Sequence, residues 1–362
     1  MTEPETSPPG LDLDQLTRWW SSSIQPVAGE LRARLLTGGK SNLTYEVSDD
    51  SAAWVVRRPP LGHVLATAHD MKREYTVMTA LRKTPVPVPA TFALVGEEGS
   101  PLGAQFYVME KVNGTPYRFA TELEPLGAGR TRAIALRLID TLAALHSVDP
   151  VAVGLGGFGR PHGYLPRQVA RWAKQMAASK SRDLLAADEL HAKLAAAIPP
   201  DQPATIVHGD YRLDNVLFDA GDQPAAVLDW EMATLGDPLA DLALMLLYGR
   251  LGLMAGQQMV SDVSRAPGYP GEAEIIQRYA TESGRDISKL GFYLGLSAYK
   301  LAAIPRGDPL PLHPGPDCRS GLRRDRRHRS RTTQGGACSD RGGRLDGLCI
   351  RCADRSAPCV AE

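Results

Sequence analysis

The chain of 362 residues lacks the features that would place it in several large classes of protein. Lys and Arg together number 41, and so do Asp and Glu, so no net charge favours nucleic acid or an anionic membrane surface. No apolar run approaches the roughly 20 residues that a membrane-crossing helix needs. The first ten residues are acidic and rich in proline, unlike a signal peptide. These absences predict a cytoplasmic protein with neither a membrane nor a nucleic-acid partner.

Cysteine is absent from the first 317 residues, and all five cysteines follow them. The segment 305–362 also lacks Lys, Phe, Tyr, Trp and Met, and it contains the basic run "RRDRRHRSR". Without aromatic or periodic apolar residues it cannot bury enough surface to offset the entropy of ordering, which predicts disorder. A basic tail that binds metal or nucleic acid is the alternative. Cys349 and Cys352 form a CxxC pair, but no second pair or histidine stands at zinc-finger spacing.

The composition changes abruptly after Ile304, within a predicted helix. This break suggests a sharper hypothesis, in which the reading frame shifts there and the tail is out-of-frame translation of a GC-rich gene. A frame shift would also remove the last helix or helices of the fold. Resequencing the gene would test this, because an uninterrupted in-frame homologous tail would contradict it.

The first 113 residues contain the signals of a small sheet crossed by a helix. An amphipathic pattern predicts an N-terminal helix from Leu11 to Ser22, and the face formed by Met71, Tyr75, Met78 and Leu81 predicts another. The β-rich runs are one ending at Thr37, Leu43–Val47, Trp54–Arg58 and Gln105–Gly114. The second and third of these runs flank the turn "SDDSA" and predict a hairpin.

From about residue 122 the pattern becomes helical. Ile134, Leu138, Leu142 and Leu145 form an apolar stripe. Further helices are predicted at 168–178, 183–197, 238–248, 272–282 and 287–304. We therefore expect an α+β fold with a β-rich N-terminal lobe and a mainly helical C-terminal lobe. The expected divisions are 1–30 for an extension, 31–113 and 114–304 for the two lobes, and 305–362 for the tail.

One short stretch concentrates the chemistry: "HGDYRLDNVLFDAGDQPAAVLDWE", which begins at His208. Pairing about the turn centre Asp222 would place Asn215 opposite Asp229, with Asp210 on the loop that enters the hairpin. Carboxylate and carboxamide oxygens suit Mg²⁺, and a free Asp can orient a hydroxyl and accept its proton. The other two acidic residues, Asp214 and Asp219, fit turn or capping roles.

This stretch resembles the catalytic and metal-binding segments of the aminoglycoside phosphotransferase family, which has a protein-kinase-like fold. "HGDYRLDNVLFD" and "VLDWEMATLGDPLADLA" most resemble the kinase-like domains that are fused to acyl-CoA dehydrogenases, so a dehydrogenase name would be inherited from such a fusion. The resemblance implies that Asp210 is the catalytic base, that Asn215 and Asp229 hold Mg²⁺, and that His208 orders the loop. It also implies ATP as the phosphate donor.

"TGGKSN" lies between the first two β-rich runs, where a loop that cradles the nucleotide belongs in such a fold. Gly38 and Gly39 leave backbone N–H groups free of Cβ obstruction, and Lys40 and Ser41 follow them. The spacing is not that of a Walker A motif. A plain turn is the alternative for this loop.

"WVVRRPP" departs from the family pattern, which has a lysine on this strand. Alternation points Arg57 and Arg58 to opposite faces, and Arg57 takes the lysine position. The resemblance pairs it with Glu74; an exposed edge arginine is the alternative. "VMEKVNG" resembles the connector between the lobes in the same family, and this resemblance implies that the backbone groups of Glu110 and Val112 contact adenine.

Asp237 precedes Pro238 in "LGDPLADLA", a helix-start signature. The resemblance makes Asp237 and Asp241 structural supports of the catalytic loop.

The favoured activity is ATP- and Mg²⁺-dependent phosphorylation of a hydroxyl on a small molecule. An endogenous metabolite such as a hydroxyacyl-CoA is favoured over an antibiotic, because the motifs resemble those of the dehydrogenase fusions. Pockets for polycations tend to be acidic, and the helical lobe shows no acidic cluster beyond Asp183, Asp188 and Glu189. A nucleotide-binding module without turnover is the alternative, suggested by the arginine on the strand and by the broken C-terminal composition. A phosphohydrolase with Asp210 as nucleophile is disfavoured, because that chemistry needs neither a glycine loop nor a helix glutamate.

Overall fold

The structure is a computed structural model, and it describes residues 7–36, 42–61, 70–179, 185–255 and 261–304. These residues belong to one compact unit that spans Met1–Arg306. The predictions of disorder and of a frame shift concern residues outside the described ranges. They stay predictions.

The N-terminal lobe is built on a five-stranded antiparallel sheet with the strand order β1-β2-β3-β5-β4. Its strands are β1 (Arg32–Leu35), β2 (Leu43–Ser48), β3 (Ala53–Arg58), β4 (Thr91–Val95) and β5 (Phe106–Glu110). The predicted hairpin is present as β2 and β3. The strand β4 was not predicted, and β5 is shorter than the predicted run because the chain leaves the sheet after Glu110.

Each face of this sheet is covered by a helix. On one face, α1 (Leu13–Ser23) packs the ring of Trp20 edge-on against Trp54, with 5.0 Å between ring centroids. On the other face lies α2 (Met71–Leu81), whose apolar residues join the same core cluster as Val55 of β3. Successive residues of β3 therefore point into different cores, as strand alternation requires. The N-terminal helix is part of the packed lobe and covers the sheet.

The C-terminal lobe is mainly helical. Its helices are α3 (Ala120–Leu123), α4 (Gly127–Ser147), α5 (Tyr164–Ser179), α6 (Leu185–Ala196), α7 (Leu239–Ala255), α8 (Glu272–Ser283) and α9 (Leu290–Ala303). The predicted stripe on α4 is completely buried, which confirms that periodicity identified the core-facing side. The short helix α3 was not predicted. Within the described ranges, no helix combines the length and the apolar character needed to cross a membrane.

Two small two-stranded sheets are inserted between α6 and α7, and they carry the polar motif. The strand β6 (Thr205–Val207) pairs with β9 (Thr234–Gly236), and β7 (Val216–Phe218) pairs with β8 (Pro224–Val227). The loop between β6 and β7 contains Asp210, and the segment between β8 and β9 contains Asp229. Nested antiparallel pairs thus bring the two halves of the motif together.

The predicted register of the β7–β8 hairpin is wrong by one residue. Val216 pairs with Val227, and the N–H of Leu228 donates to the carbonyl of Asn215 at 2.8 Å, so Asn215 lies opposite Leu228. A bulge after Leu217 makes the turn asymmetric, which defeats symmetric pairing about Asp222.

The β7–β8 hairpin is fastened to the connector between the lobes. Thr115 and Phe218 exchange two backbone hydrogen bonds, with N–O distances of 2.8 and 3.1 Å. The neighbouring Gly114 leaves no room for a side chain, because a Cβ there would lie 2.9 Å from the Cβ of Leu217. The glycine of "VNG" therefore permits the close approach of connector and hairpin.

Candidate active site

The catalytic loop begins with a glycine whose conformation other residues rarely adopt. Gly209 has a φ of +87°, and a Cβ on it would lie 2.7 Å from the carbonyl oxygen of Met232. A side chain would therefore be strained by the backbone and would also clash with the segment after Asp229. The middle residue of "HGD" is glycine because two chain segments touch at this point.

Asp241, on the first turn of α7, anchors the same loop. Its carboxylate accepts the backbone N–H of His208 at 2.6 Å and that of Gly209 at 2.8 Å, and the Nε2 of His146 lies 3.3 Å from it. Burial by itself would raise the pKa of Asp241. The hydrogen bond with His146 and the bond from the Gly209 N–H outweigh burial and lower that pKa. The carboxylate thus stays charged where it holds the loop.

His208 links the catalytic loop to the end of β8. Its Nδ1 accepts the backbone N–H of Asp210 at 3.3 Å, and its Nε2 donates to the carbonyl of Leu228 at 2.9 Å. The ring also packs on Trp230, with 4.7 Å between centroids. These two bonds define one neutral tautomer with the proton on Nε2. These contacts are compatible with an ordering role for His208, which stays a prediction.

Asp210 and Asn215 are brought together by a bond within the loop. The Nδ2 of Asn215 donates to the backbone carbonyl of Asp210 at 2.9 Å, so the carboxamide oxygen is the group left for a ligand. The side chain of Asp210 is 27% exposed and can meet a substrate. Asn215 is largely buried, which holds its orientation.

Asp229 occupies a left-handed backbone conformation, with φ 66° and ψ 57°. This conformation turns the chain sharply after β8. The Oδ1 of Asp229 accepts a hydrogen bond from the Nη2 of Arg57 at 2.9 Å. A residue of the large lobe therefore binds a residue of the small-lobe sheet across the space between the lobes.

Arg57 joins three parts of the chain. Besides Asp229, its Nη1 lies 3.3 Å from the Oε2 of Glu74 on α2, and its side chain is only 13% exposed. The alternative of a solvent-exposed edge arginine is therefore wrong. Arg58 points to the other face, where it donates to the carbonyl of Leu102 at 3.2 Å.

Glu74 is almost completely buried and has several partners. It accepts a hydrogen bond from the hydroxyl of Tyr107 at 3.0 Å, in addition to its contact with Arg57. Burial raises the pKa of Glu74 to about 7, although the charge of Arg57 acts in the opposite direction. In the ion pair of Arg57 with Glu74, the carboxyl of Glu74 therefore has a pKa close to neutral pH.

Asn215 and Asp229 fit a magnesium ion by the chemistry of their donor atoms. A carboxamide oxygen and a carboxylate are hard ligands, and Mg²⁺ commonly takes only one or two carboxylates and fills its other positions with water and phosphate. Among the described residues, no group of three or more His, Cys, Asp or Glu side chains could hold a metal. A two-ligand site that shares its ion with a nucleotide remains compatible with these side chains.

Other predicted residues lie at the end of β5, on the connector between the lobes and at the start of α7. The backbone N–H of Glu110 donates to the carbonyl of Ala90 at 2.7 Å, and Val112 is half-buried on the connector. The carboxylate of Asp237 accepts the N–H of Leu239 at 3.1 Å and so caps α7. The predicted phosphate loop, Gly38, Gly39, Lys40 and Ser41, lies outside the described residues.

Three neighbours of the loop were missed by sequence reasoning. His146 contacts Asp241, Arg212 lies beside Asp210, and the Nζ of Lys300 donates to the carbonyl of Gly209 at 3.1 Å. Burial lowers the pKa of Lys300. A signal existed for Lys300, because it is the single charged residue in the apolar run 290–304.

Comparison with known sequences agrees with this geometry. The profile of the Phosphotransferase enzyme family matches residues 32–275. The chain is 38% identical over 291 residues to acyl-CoA dehydrogenase family member 11 from Gallus gallus, a match that covers 78% of this chain and 37% of the relative. It is 37% identical over 275 residues to family member 10 from Mus musculus, covering 74% of this chain and 25% of that protein. The chain thus spans well under half the length of these curated relatives.

Solved structures give the same result for the fold. A protein from Ralstonia eutropha JMP134, provisionally described as an aminoglycoside phosphotransferase, has a TM-score of 0.71 and 34% identity, covering 81% of this chain and 87% of that one. The ternary complex of APH(2″)-IIa with streptomycin and ATP has a TM-score of 0.52 at 18% identity, covering 78% and 85%, which shows likeness of fold alone. The predicted α+β, two-lobed, protein-kinase-like fold is confirmed, and the chain belongs to the Phosphotransferase enzyme family.

Proposed function

We propose that this protein transfers the γ-phosphoryl group of ATP to a hydroxyl group of a small molecule, with Mg²⁺ as cofactor. The observation that carries the proposal is the convergence of side chains from separate elements. Arg57 of β3 contacts both Glu74 of α2 and Asp229 beyond β8, while Asn215 is bonded to Asp210 on the catalytic loop. Phosphoryl transfer requires this kind of positioning and charge neutralisation more than it requires covalent chemistry.

Asp210 is the proposed catalytic base. Its partly exposed carboxylate orients the acceptor hydroxyl and accepts the proton that leaves the hydroxyl oxygen as that oxygen bonds to phosphorus. A general base of this kind contributes about 10²–10⁴-fold to a rate. His208 and Asp241 act indirectly, because they hold the backbone on which Asp210 stands.

Asn215 and Asp229 are the proposed ligands of the magnesium ion, which would neutralise phosphate charge when bound. Arg57, held by Glu74, is proposed to bind the α- and β-phosphates. The loop residues Gly38, Gly39, Lys40 and Ser41 are proposed to cradle phosphate oxygens. For adenine, the proposed contacts are the backbone groups of Glu110 and Val112.

The proposed acceptor is an endogenous hydroxylated metabolite, with a hydroxyacyl-CoA favoured over an antibiotic. A cavity of about 40 Å³ next to the catalytic loop is lined by Trp172, Gln168 and Lys300, among others. Its acidic member, Asp241, is already engaged by two backbone N–H groups. A cation such as Lys300 here disfavours a polycationic aminoglycoside. The matching segment of the curated relatives is part of longer proteins named as acyl-CoA dehydrogenases, and this association also favours an acyl-CoA-derived acceptor.

The test is ADP release with hydroxyacyl-CoAs and with aminoglycosides at saturating Mg·ATP, comparing the wild type with Asp210→Asn. We expect Asp210→Asn to lower kcat by about 10²–10⁴-fold and to leave Mg·ATP binding intact. Asp219→Asn is the matched control, since among the described residues the Asp219 carboxylate accepts hydrogen bonds from the turn N–H groups of Gly221 and Gln223.

Mg·ATP binding by the wild type without transfer to any acceptor would contradict the proposal and indicate a non-catalytic nucleotide-binding module. A response to aminoglycosides alone would contradict the metabolite acceptor and leave phosphoryl transfer in place.

A further inference from the structure

Arg212 stands between two carboxylates at the proposed catalytic base. Its Nε lies 3.5 Å from the Oδ2 of Asp210, and its Nη2 lies 3.1 Å from the Oδ2 of Asp214. Its guanidinium is 4.9 Å from the ring centroid of Tyr248 on α7, and its side chain is only 12% exposed. A buried cation is thus held on one side by a carboxylate and on another by an aromatic face.

The backbone around Arg212 explains this placement. Tyr211 and Leu213 are buried in the core, and the Tyr211 hydroxyl donates to the carbonyl of Leu138 at 2.9 Å. The backbone at Arg212 is extended, so its side chain faces away from those two core residues, and Asp214 follows in a short 3-10 helix over Leu213–Asn215. Arg212 thus lies against both the ring of Tyr248 and the carboxylate of Asp214, and the core contacts of Tyr211 and Leu213 on either side hold it there.

Two polar atoms of this group are unsatisfied. Within the described ranges, the Nε of Arg212 and the Oδ1 of Asp214 are buried without a hydrogen-bond partner. An unpaired buried donor or acceptor is costly, and the cost is greater for charged groups. The Asp210 carboxylate is close enough that a shift of a few tenths of an ångström would give the Nε its partner.

We infer that Arg212 is a positioning residue that aligns the Asp210 carboxylate with the acceptor hydroxyl, and that Asp214 serves by holding Arg212. This inference rests on the proposed function. A guanidinium suits the role because its planar fork can bind two carboxylates with different nitrogens, which an ammonium cannot do in fixed geometry. Hydrogen bonds at catalytic groups are often long without substrate and shorten in the substrate complex.

A purely structural role makes different predictions. Arg212 also lines a cavity of about 30 Å³ together with Tyr248, Ser261 and Tyr269, so its removal could loosen the packing. Such a role would lower the melting temperature without changing kcat or the fate of the phosphoryl group. A positioning role changes how well the acceptor competes with water for that group.

The variants are Arg212→Met, Arg212→Lys, Asp214→Asn and the double variant Arg212→Met/Asp214→Asn. Arg278→Met is the matched control, because Arg278 of α8 forms a bidentate pair with Asp140 of α4, at 2.7 and 2.9 Å, and removing it breaks an arginine–carboxylate pair that does not include Asp210. The measurements are kcat, the acceptor KM, the Kd for Mg·ATP, the melting temperature, and the ratio of phosphorylated acceptor to ADP.

We expect Arg212→Met to lower kcat by about 10–100-fold and to lower the ratio of phosphorylated acceptor to ADP, with the Kd for Mg·ATP within about twofold of wild type. Arg212→Lys should recover part of the loss. Asp214→Asn should lower kcat by about 3–10-fold in the wild type and cause no further loss in Arg212→Met. The control Arg278→Met should match the wild type in kcat and product ratio.

Wild-type kcat and product ratio in Arg212→Met would overturn the inference. Equal losses from Asp214→Asn in both backgrounds would overturn the role of Asp214. If the wild type transfers the phosphoryl group to no acceptor, the proposed function is contradicted, and the role of Arg212 is then tested by a measurement that does not depend on transfer. The exchange rate of the Arg212 Nε–H, measured by NMR in wild type, needs no turnover. Slower exchange on adding Mg·AMP-PNP, lost in Asp210→Asn, supports the inference, and unchanged exchange contradicts it.

Discussion

The burial of Glu74 predicts a specific dependence of stability on pH. Burial raises the pKa of this carboxyl in the folded chain to about 7, from an ordinary value of 4.5. Between these two values the folded chain binds the proton more tightly than the unfolded chain does. The contribution of Glu74 to the free energy of unfolding is therefore fully present below pH 4.5, falls as the pH rises toward 7, and is constant above that.

The size of the effect follows from the two pKa values. The difference between about 7 and 4.5 is about 2.5 pH units, and at about 1.4 kcal/mol per unit it corresponds to roughly 3 kcal/mol. Glu74→Gln removes the titrating group while keeping a similar shape. The wild type should therefore lose about 3 kcal/mol of stability relative to Glu74→Gln as the pH rises from 4.5 to above 7.

The assay is denaturant unfolding at a series of pH values, followed by the fluorescence of the buried tryptophans Trp20, Trp54, Trp172 and Trp230. Tyr107→Phe is the companion variant, because the Tyr107 hydroxyl donates to Glu74 and lowers its pKa. Loss of this hydroxyl should raise the pKa of Glu74 and move the change in stability to higher pH. Parallel stability curves for wild type and Glu74→Gln between pH 4.5 and 7.5 would refute the reasoning.

Three further predictions follow from single contacts. Gly209→Ala should lower the free energy of unfolding, measured by denaturant unfolding, by about 1–3 kcal/mol and should lower kcat, because the new side chain would stand on a left-handed backbone and clash with Met232. Wild-type stability of this variant would contradict the clash. Asp241→Asn should lower the free energy of unfolding by about 1–3 kcal/mol and lower kcat, since one of the two backbone N–H groups that donate to Asp241 loses its acceptor. A wild-type melting temperature together with an unchanged kcat would contradict its bracing role. Trp20→Ala should lower the free energy of unfolding by about 3–5 kcal/mol, whereas Arg18→Ala should change it little because Arg18 is exposed. Equal melting temperatures for the two variants would show that α1 adds nothing to the stability of the fold.

The sequence was sufficient for features that depend on local periodicity. Alternation in β3 correctly separated Arg57 from Arg58, and the apolar stripe of α4 identified its buried face. These predictions succeed because the side-chain direction repeats with a fixed period within one element. The family resemblance supplied the pairing of Arg57 with Glu74, which no local pattern contains.

Features that depend on one irregular residue were not predictable in the same way. The bulge after Leu217 changed the hairpin register by one residue, so the strands do not pair symmetrically about Asp222. His146 supports the catalytic loop from a distant helix, and nothing in its neighbours on α4 indicates that Asp241 will meet it. Contacts between separate elements depend on tertiary packing, and a single sequence does not encode them in its spacing.

The arginine at the strand position suits a bridging role that a lysine would fill less well. Arg57 uses Nη1 for Glu74 and Nη2 for Asp229, so one rigid group holds two carboxylates that belong to different lobes. A lysine would have to share one ammonium between them. Because Arg57 engages Oδ1 of Asp229, the other carboxylate oxygen is the one left for a cation. The substitution of arginine for lysine is therefore compatible with the proposed phosphotransfer, and it couples the orientation of the lobes to the proposed metal ligand.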